Sequence, residues 1–118
     1  MTRDDVLEAC ADLPGSVEDA PFGDEVAVFK VGGKMFALVM LAGEPGSVNL
    51  KCDPDWALEL RARHDAIRPG YHMNKRHWNT VELDGTVDDE DVREMIDHSY
   101  DLVVRGLPKK KRDDLAGR

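Results

Sequence analysis

The sequence has few cysteines, no long apolar run and no excess of positive charge, and each absence excludes a class of protein. Two cysteines in 118 residues, Cys10 and Cys52, cannot build a disulfide framework, which indicates a reducing compartment. The longest unbroken apolar run extends only from Met35 to Ala42, far short of the ~20 residues that span a bilayer. The N-terminus is acidic within five residues and lacks the apolar core of an export signal. We therefore expect a cytoplasmic protein with no membrane partner.

The net charge of −8 excludes a uniformly basic nucleic-acid-binding domain, but the charges are segregated along the chain. Residues 1–25 and 82–101 carry net charges of −7 and −8, whereas residues 26–81 and 102–118 carry +3 and +4. Solvated helix faces and helix ends explain most such alternation. The basic middle of the chain is the surface expected to face an anion. The run Lys109–Arg112 is typical of a solvated tail, and it could also extend that surface.

The size and balance of the chain predict one globular domain. It has 118 residues and 13.2 kDa, of which 42% are hydrophobic and 34% charged, so one core can form. No internal repeat or linker-like stretch divides the chain. We expect a single domain over residues 1–118, with a core from about residue 2 to 107 and a basic tail at 108–118.

Capping residues and apolar spacing predict three helices. Thr2, with an acid three positions later, begins the first, and Asp53-Pro54 is a strong start for the second. The third is expected to begin near Asp88 or Asp89 and to end at Gly106. The side chains expected to face inward are Val6, Leu7, Cys10 and Leu13 in the first helix, Trp56, Ala57, Leu60 and His64 in the second, and Val92, Met95, Ile96, Ser99 and Val103 in the third.

Residues 26–40 alternate with the period of a β-hairpin around Gly32-Gly33. If Val31 and Lys34 flank the turn, Phe29 pairs with Phe36, and their face looks into the core. That face also carries Ala27, paired with Leu38, and Met40. The opposite face is apolar enough to need a covering loop or partner, and it carries Val26, Val28, Ala37 and Val39 together with Lys30 and Met35. The core shared by sheet and helices is expected to include Phe29, Phe36, Leu38, Trp56, Leu60, Ile96 and Val103.

Further strands are expected at Val17–Phe22, Val48–Lys51 and His77–Leu83, with a turn at Arg68–Tyr71. The order is then helix, three or four strands, helix, one or two strands, helix. This order predicts an α+β domain of two layers, with helices packed on an antiparallel sheet.

The segment of residues 68–81, RPGYHMNKRHWNTV, concentrates donors and aromatic rings. Arg and Lys supply charge, Asn and His supply directed donors, and the rings can stack, which suits a phosphate or a carboxylate. The alternative is structural: Trp78 and Tyr71 would be core residues, and the basic side chains would pair with acidic side chains of the helices.

Neither a metal site nor a catalytic constellation is expected. His72 and His77 lie five positions apart with no local Cys or acid to complete a tetrahedral set, so no cofactor is predicted. Cys52 precedes a helix N-terminus, which lowers a thiol pKa, and a histidine could then act as a base. No local cysteine-hydrolase signature surrounds it, however, and Cys10 lies on an apolar stripe. We therefore expect the protein not to be an enzyme.

Four long motifs extend across the chain: PFGDEVAVFKVGGKMFALV, VNLKCDP, PGYHMNKRHWNTVELDG and SYDLVVRGLPKKKR. From about Val6 to Arg112 the chain resembles the MmcQ/YjbR family of small bacterial proteins. The resemblance implies a compact α+β domain similar to the frataxin homologue CyaY or to secretion chaperones. It also implies DNA binding through a double wing of β-hairpins, which here would be the Gly32-Gly33 hairpin and the segment at 72–77. The residues expected to contact nucleic acid or another anion are Lys30, Lys34, Arg68, His72, Asn74, Lys75, Arg76 and His77.

Three functions remain open at this point. The first is a non-enzymatic DNA-binding module with weak, sequence-tolerant affinity. The second is a binding protein for a small anionic or planar ligand, in a pocket formed by Tyr71, His72 and Trp78. The third is an interaction domain whose apolar sheet face contacts a protein partner or a second copy. We expect either a monomer or a weak homodimer.

Overall fold

The computed structural model describes residues 1–117, which form one antiparallel sheet with helices packed against it. The helices are α1 (Arg3–Ala11), α2 (Pro54–Arg63), α3 (Asp89–Arg105) and α4 (Lys109–Ala116). The strands are β1 (Val17–Asp19), β2 (Val26–Val31), β3 (Lys34–Met40), β4 (Ser47–Lys51), β5 (Ile67–Pro69) and β6 (Trp78–Glu82). Their order across the sheet is β1-β2-β3-β4-β6-β5. The predicted α+β class and the order of its first three helices are confirmed. No helix within residues 1–117 is long and apolar enough to cross a membrane.

The predicted helix starts are confirmed in their detail. Thr2 and Asp5 form a reciprocal capping box at the start of α1. The carboxylate of Asp53 accepts hydrogen bonds from the first turn of α2, where Pro54 occupies the first helical position. In α3 the buried residues are the five that the spacing predicted: Val92, Met95, Ile96, Ser99 and Val103.

The helices cover one side of the sheet, which we call the inner face. Its core joins Phe29 and Phe36, whose ring centroids lie 6.3 Å apart, to the helices. The hydroxyl of Ser99 on α3 donates to the carbonyl of Phe36 (2.5 Å) and accepts from the N–H of Lys51 (2.8 Å). This one buried side chain therefore ties α3 to both central strands, β3 and β4.

The predicted register of the β2–β3 hairpin is wrong beyond the turn. Lys30 lies opposite Met35 as expected, but a bulge then inserts one extra residue into β3, so that Phe29 pairs with Ala37 and not with Phe36. Each later residue of β3 shifts by one, and the side-chain faces exchange. The consequences are that Ala37 and Val39 are buried on the inner face, whereas Leu38 and Met40 lie on the other side of the sheet. The bulge keeps both Phe29 and Phe36 inside.

The second side of the sheet, the outer face, has a small apolar cluster of its own. Val28, Leu38 and Trp78 are buried there, and Met35 and Met73 pack against them. The predicted core membership of Leu38 is therefore wrong, because it belongs to this cluster. The sequence predicts a loop that covers the outer face, and this loop is the segment that contains Met73.

Two other elements differ from the expectation. Residues 67–69 form the edge strand β5 and not the start of a turn, which is compatible with Pro69 because an edge strand tolerates a missing donor. The basic tail is the helix α4, whose Leu115 packs against the core. Lys111 on α4 donates to the carbonyl of Gly32 (3.1 Å), so α4 lies beside the tip of the β2–β3 hairpin.

Candidate nucleic-acid interface

Residues 70–77 form a compact loop on the outer face, which we call the outer loop. Gly70 begins it by donating to the carbonyl of Trp78 (2.8 Å). A Cβ atom at Gly70 would lie 2.7 Å from the Cβ of Trp78, so only glycine permits this approach. Met73 then packs on the apolar cluster, and His77 donates to the carbonyl of Asn74 (3.2 Å). The loop is thus closed on itself and seated on the sheet.

Two buried polar residues of the sheet form hydrogen bonds with the backbone of Tyr71. Its N–H donates to Oγ1 of Thr80 (3.0 Å), and its carbonyl accepts from Nδ2 of Asn49 (3.3 Å). The two side chains are joined by a bond from the Thr80 hydroxyl to Oδ1 of Asn49 (2.6 Å). Asn49 and Thr80 are 1% and 3% exposed, so both bonds are shielded from water.

Arg61 on α2 anchors the other end of the outer loop. Its Nε donates to Oδ1 of the buried Asn79 (2.7 Å), and its Nη2 donates to the carbonyls of Trp78 (3.2 Å) and Lys75. These anchoring residues are not among those predicted from the sequence. The signal for Asn49, Asn79 and Thr80 was the occurrence of amide and hydroxyl side chains inside strands that otherwise read as buried. Arg61 carried no such signal, because its role depends on where α2 crosses the start of β6.

Three of the eight predicted contact residues have a cationic side chain that is engaged within the molecule. Lys30 lies 3.5 Å from Asp19, and Arg68 pairs with Glu82 at 2.5 Å. Lys75 donates to the carbonyl of Gly70 (3.2 Å), which helps to close the outer loop.

The remaining predicted residues are distributed over the hairpin tip and the outer loop. Lys34, His72, Asn74 and Arg76 are exposed, and His77 is half-buried. Oδ1 of Asn74 accepts from the N–H of Arg76 (3.0 Å), which fixes the turn that presents the guanidinium. The structure therefore brings the two predicted wings to the same end of the sheet.

Seven Lys or Arg side chains within residues 1–117 make neither an ion pair nor a hydrogen bond, and six of them lie at that end of the sheet. Lys51 ends β4 directly opposite Trp78 at the start of β6, and Arg105 ends α3 just before Leu107, which packs on Gly32. We call this end, where the hairpin tip, the outer loop and α4 meet, the basic end. Its unpaired cations are Lys34, Lys51, Arg76, Arg105, Lys110 and Arg112. The seventh is Arg93, near the start of α3.

The opposite end of the sheet collects carboxylates. It consists of the start of α1, which Arg3 ties to the carbonyl of Met40 (2.9 Å), the loop after β3 and the segment from β6 into α3. The acidic residues there are Asp4, Asp5, Asp24, Glu25, Glu44, Asp84, Asp88, Asp89, Glu90 and Asp91. Other acids, among them Asp53 and Asp55 at the start of α2 and Asp113 and Asp114 on α4, lie near the basic end, so the segregation along the chain is only in part a segregation in space.

The titratable groups on the helix side are not poised for nucleophilic chemistry. Burial raises the pKa of Cys52 to about 11 and that of Cys10 to about 12, so the activated thiol considered for Cys52 does not form. Both cysteines are free and buried. Nε2 of His98 accepts from the N–H of Asp53 (3.1 Å), and burial lowers the pKa of this imidazole. Within residues 1–117 no three His, Cys, Asp or Glu side chains are grouped as metal ligands.

The pocket expected around Tyr71, His72 and Trp78 does not form from those three residues. Trp78 is buried in the apolar cluster of the outer face, and His72 stands in solvent with its ring 4.0 Å from that of Tyr71. Tyr71 instead lines a pocket of about 300 Å³ together with Arg68, above Asn49 and Thr80. The apolar face proposed for a protein partner is also altered, because Ala37 and Val39 are buried under the helices.

Comparisons with known proteins place this geometry in a family. The YjbR family model matches residues 11–102. The chain is 36% identical over 112 residues to the uncharacterized protein YjbR of Escherichia coli K12, covering 95% of each chain. It is 45% identical over 91 residues to the uncharacterized protein YbdF of Escherichia coli O157:H7, covering 76% of this chain and 74% of that one.

A solved structure extends the similarity to the fold. The crystal structure of Deinococcus radiodurans protein DR2400 is similar to this chain with a TM-score of 0.91 and 45% identity, over 98% of this chain and 88% of that one. Because the family model matches most of the chain and these relatives exceed 30% identity along most of their length, this chain belongs to the YjbR family.

Proposed function

We propose that the protein is a non-enzymatic, sequence-tolerant binding protein for nucleic acid, whose phosphates are contacted by the basic end. The observation that carries this proposal is the position of the unpaired cations. Six of the seven lie at one end of the sheet, on the hairpin tip, β4, the outer loop, α3 and α4. Cations left without internal partners keep their capacity to neutralise an external charge.

The spread of these cations over five elements favours an extended polyanion over a small ion. A small anion could reach the side chains of one or two elements, whereas a nucleic acid presents negative charges at regular intervals along its length. The carboxylates at the opposite end of the molecule repel the same polyanion, so they would turn the basic end toward it.

The contact set that we propose differs from the one that the family resemblance implies. Lys34 and Arg76 remain in it, whereas Lys30, Arg68 and Lys75 already hold internal partners. Lys51, Arg105, Lys110 and Arg112 enter it because the fold places them beside the hairpin tip. The set consists only of Lys and Arg and lacks the Asn, Gln, Asp and Glu side chains that pair with adenine or cytosine, which supports contacts mainly to phosphates and little sequence preference.

A binding role is favoured over an enzymatic one by the state of the thiols. With pKa values of about 11 and 12, Cys52 and Cys10 are protonated at neutral pH and are poor nucleophiles. Two buried thiols that remain free also suit the reducing cytoplasm, where nucleic acid is accessible.

The test is a titration of fluorescently labelled duplex DNA, single-stranded DNA and RNA at two salt concentrations. Six phosphate contacts give a slope of log affinity against log salt of about −5 on duplex DNA. The double variant Arg76→Gln/Arg112→Gln is expected to weaken binding to all sequences alike and to make the slope shallower by about 2.

The matched control is Arg63→Gln/Arg93→Gln, which removes the same charge from exposed positions outside the basic end. It should leave the slope unchanged. An equal loss in both double variants would mean that only net charge matters and would refute the basic end as the interface. An absence of binding at low salt would refute the proposed function itself.

A further inference from the structure

We infer that the pocket beside Tyr71 receives an unpaired nucleobase, so that the preferred ligand is a single strand and not a duplex. The inference rests on the proposed function for its phosphate contacts. It adds to them a site for the base, built from the outer loop and the outer face of the sheet.

The first observation is an aromatic ring held in water. Tyr71 is 62% exposed, although both of its backbone polar groups are bonded to the buried side chains of Thr80 and Asn49. Because this backbone is already fixed, only the side-chain torsions of Tyr71 remain to be restricted when a base stacks on its ring. The arrangement is that of a preorganised stacking platform.

The second observation is the conformation of His72. Its φ of 58° makes it the one residue other than glycine with a left-handed backbone among those described. Such a conformation is uncommon for residues other than glycine, although histidine adopts it more readily than most. Here it directs the chain so that the imidazole lies 4.0 Å from the ring of Tyr71, centroid to centroid, which extends the exposed aromatic surface.

The third observation is the pocket itself, at about 300 Å³. This volume is at the lower end for small-molecule sites, so it admits one planar group and not a folded partner. Val26 and Met40 supply apolar contact on one side. The size and the adjacent ring together favour a flat heterocycle.

The polar lining of the pocket matches the edge of a base better than it matches a simple anion. Arg68 lines it while one of its nitrogens is held by Glu82, which leaves its other donors for ring nitrogens or carbonyl oxygens. Glu25 lines it too and would repel an anion, but a carboxylate accepts well from an exocyclic amino group. A base in a duplex has this edge and both faces occupied, so only an unpaired base can enter.

The phosphates of such a strand would lie near some of the unpaired cations. The outer loop carries both Tyr71 and Arg76, and it ends where β6 starts at the basic end. Tyr71 lies over the middle of β4 and β6, with the Glu25 side of the pocket toward the end that collects carboxylates, so it is the backbone on the Arg76 side of the base that would reach the unpaired cations.

The experiment uses the full chain and a 12-nucleotide single strand that carries one 2-aminopurine, whose fluorescence is quenched on stacking. Tyr71→Ala is expected to weaken single-strand binding by about 5- to 100-fold and to abolish the quenching, while duplex affinity changes less than about twofold. Tyr71→Phe should retain both binding and quenching, since the ring is kept. Phe22→Ala is the matched control, because Phe22 is an equally exposed ring (63%) on a different loop.

The possible outcomes separate this inference from the proposed function. Equal affinity for duplex and single strand, with no effect of Tyr71→Ala, would overturn the base site while leaving the basic end in place. Equal losses in Tyr71→Ala and Phe22→Ala would also overturn it. If no nucleic acid binds even at low salt, both the inference and the proposed function are refuted.

Discussion

The inner face of the sheet buries apolar side chains under three helices, whereas the outer face is covered by one loop that polar side chains hold in place. On the inner face most contacts are non-directional, the two hydrogen bonds of Ser99 excepted, so the hairpin accommodates a bulge and still keeps Phe29 and Phe36 inside. On the outer face each donor needs its acceptor, and the buried pair Asn49–Thr80 has little freedom to change partners. The inner layer therefore determines whether the chain folds, and the outer layer determines where the candidate binding residues stand.

The strongest test of this division is a truncation in the inner layer. Phe29 is fully buried, and Phe29→Ala should destabilise the protein by about 3–5 kcal/mol through lost apolar burial and the cavity left behind. Urea unfolding followed by circular dichroism measures this loss. Leu58→Ala, at an exposed apolar position on α2, is the control and should change stability by less than about 0.5 kcal/mol. A loss below about 1 kcal/mol for Phe29→Ala would mean that the inner layer is not the main source of stability.

An intermediate effect is expected where the two layers are joined. Arg61→Met keeps an unbranched apolar side chain but leaves Oδ1 of Asn79 and the carbonyl of Lys75 without this donor, while the carbonyl of Trp78 keeps its bond from Gly70, at a cost of about 1–3 kcal/mol. The larger consequence is local, because amide hydrogen exchange should accelerate across the outer loop while the inner strands remain protected. Arg63→Gln, two positions along the same helix, is the control. Uniform acceleration over the whole sheet would contradict the independence of the two layers.

The smallest expected effect is a pH dependence of stability that arises from His98, on the helix side of the sheet. Nε2 of His98 accepts from Asp53, and burial lowers the pKa of His98 below its ordinary value of 6.5 despite the nearby carboxylates of Asp53, Asp101 and Glu94. Since the unfolded chain binds the proton more readily, this contribution to stability is complete above about pH 6.5 and is lost as the pH falls through the lower folded-state pKa. Thermal unfolding between pH 7.5 and 5 should show this slope in the wild type.

Two variants decide whether that slope belongs to His98. It should flatten in His98→Gln and persist in His72→Gln, because His72 is exposed and makes no such bond. A slope that survives in His98→Gln would assign the pH dependence to another group.

The sequence predicted the inner layer better than the outer one, for physical reasons that particular residues illustrate. Helix starts depend on local chemistry, so Thr2, Asp53 and Asp88 were found from their neighbours alone. The bulge at Phe36 could not be found, because a β-hairpin with one extra residue has the same turn and nearly the same apolar pattern as a regular one.

The sequence predicted only part of the candidate site, for a related reason. Residues 68–81 stand out by composition, and Arg76 within them is exposed to solvent. Composition could not show that Arg68 is engaged by Glu82 or that Arg61 anchors the outer loop, since both depend on pairings between distant segments. Nor could it place Lys110 and Arg112 beside the hairpin tip, because that requires α4 to be a helix that turns back on the sheet.

The order of the elements, with α3 and α4 after the central strands, has a consequence for synthesis on the ribosome. The central strands β3 and β4 are complete by residue 51, but Ser99, which bonds to both, lies 48 positions later, on the apolar stripe of α3 that extends from Val92 to Val103. Until then only α1 and α2 can cover the inner sides of these strands, and Gly32 lacks Leu107 above it. The nascent chain thus carries an incompletely covered apolar sheet while these positions are synthesised, the state in which a small β-rich protein is most exposed to aggregation.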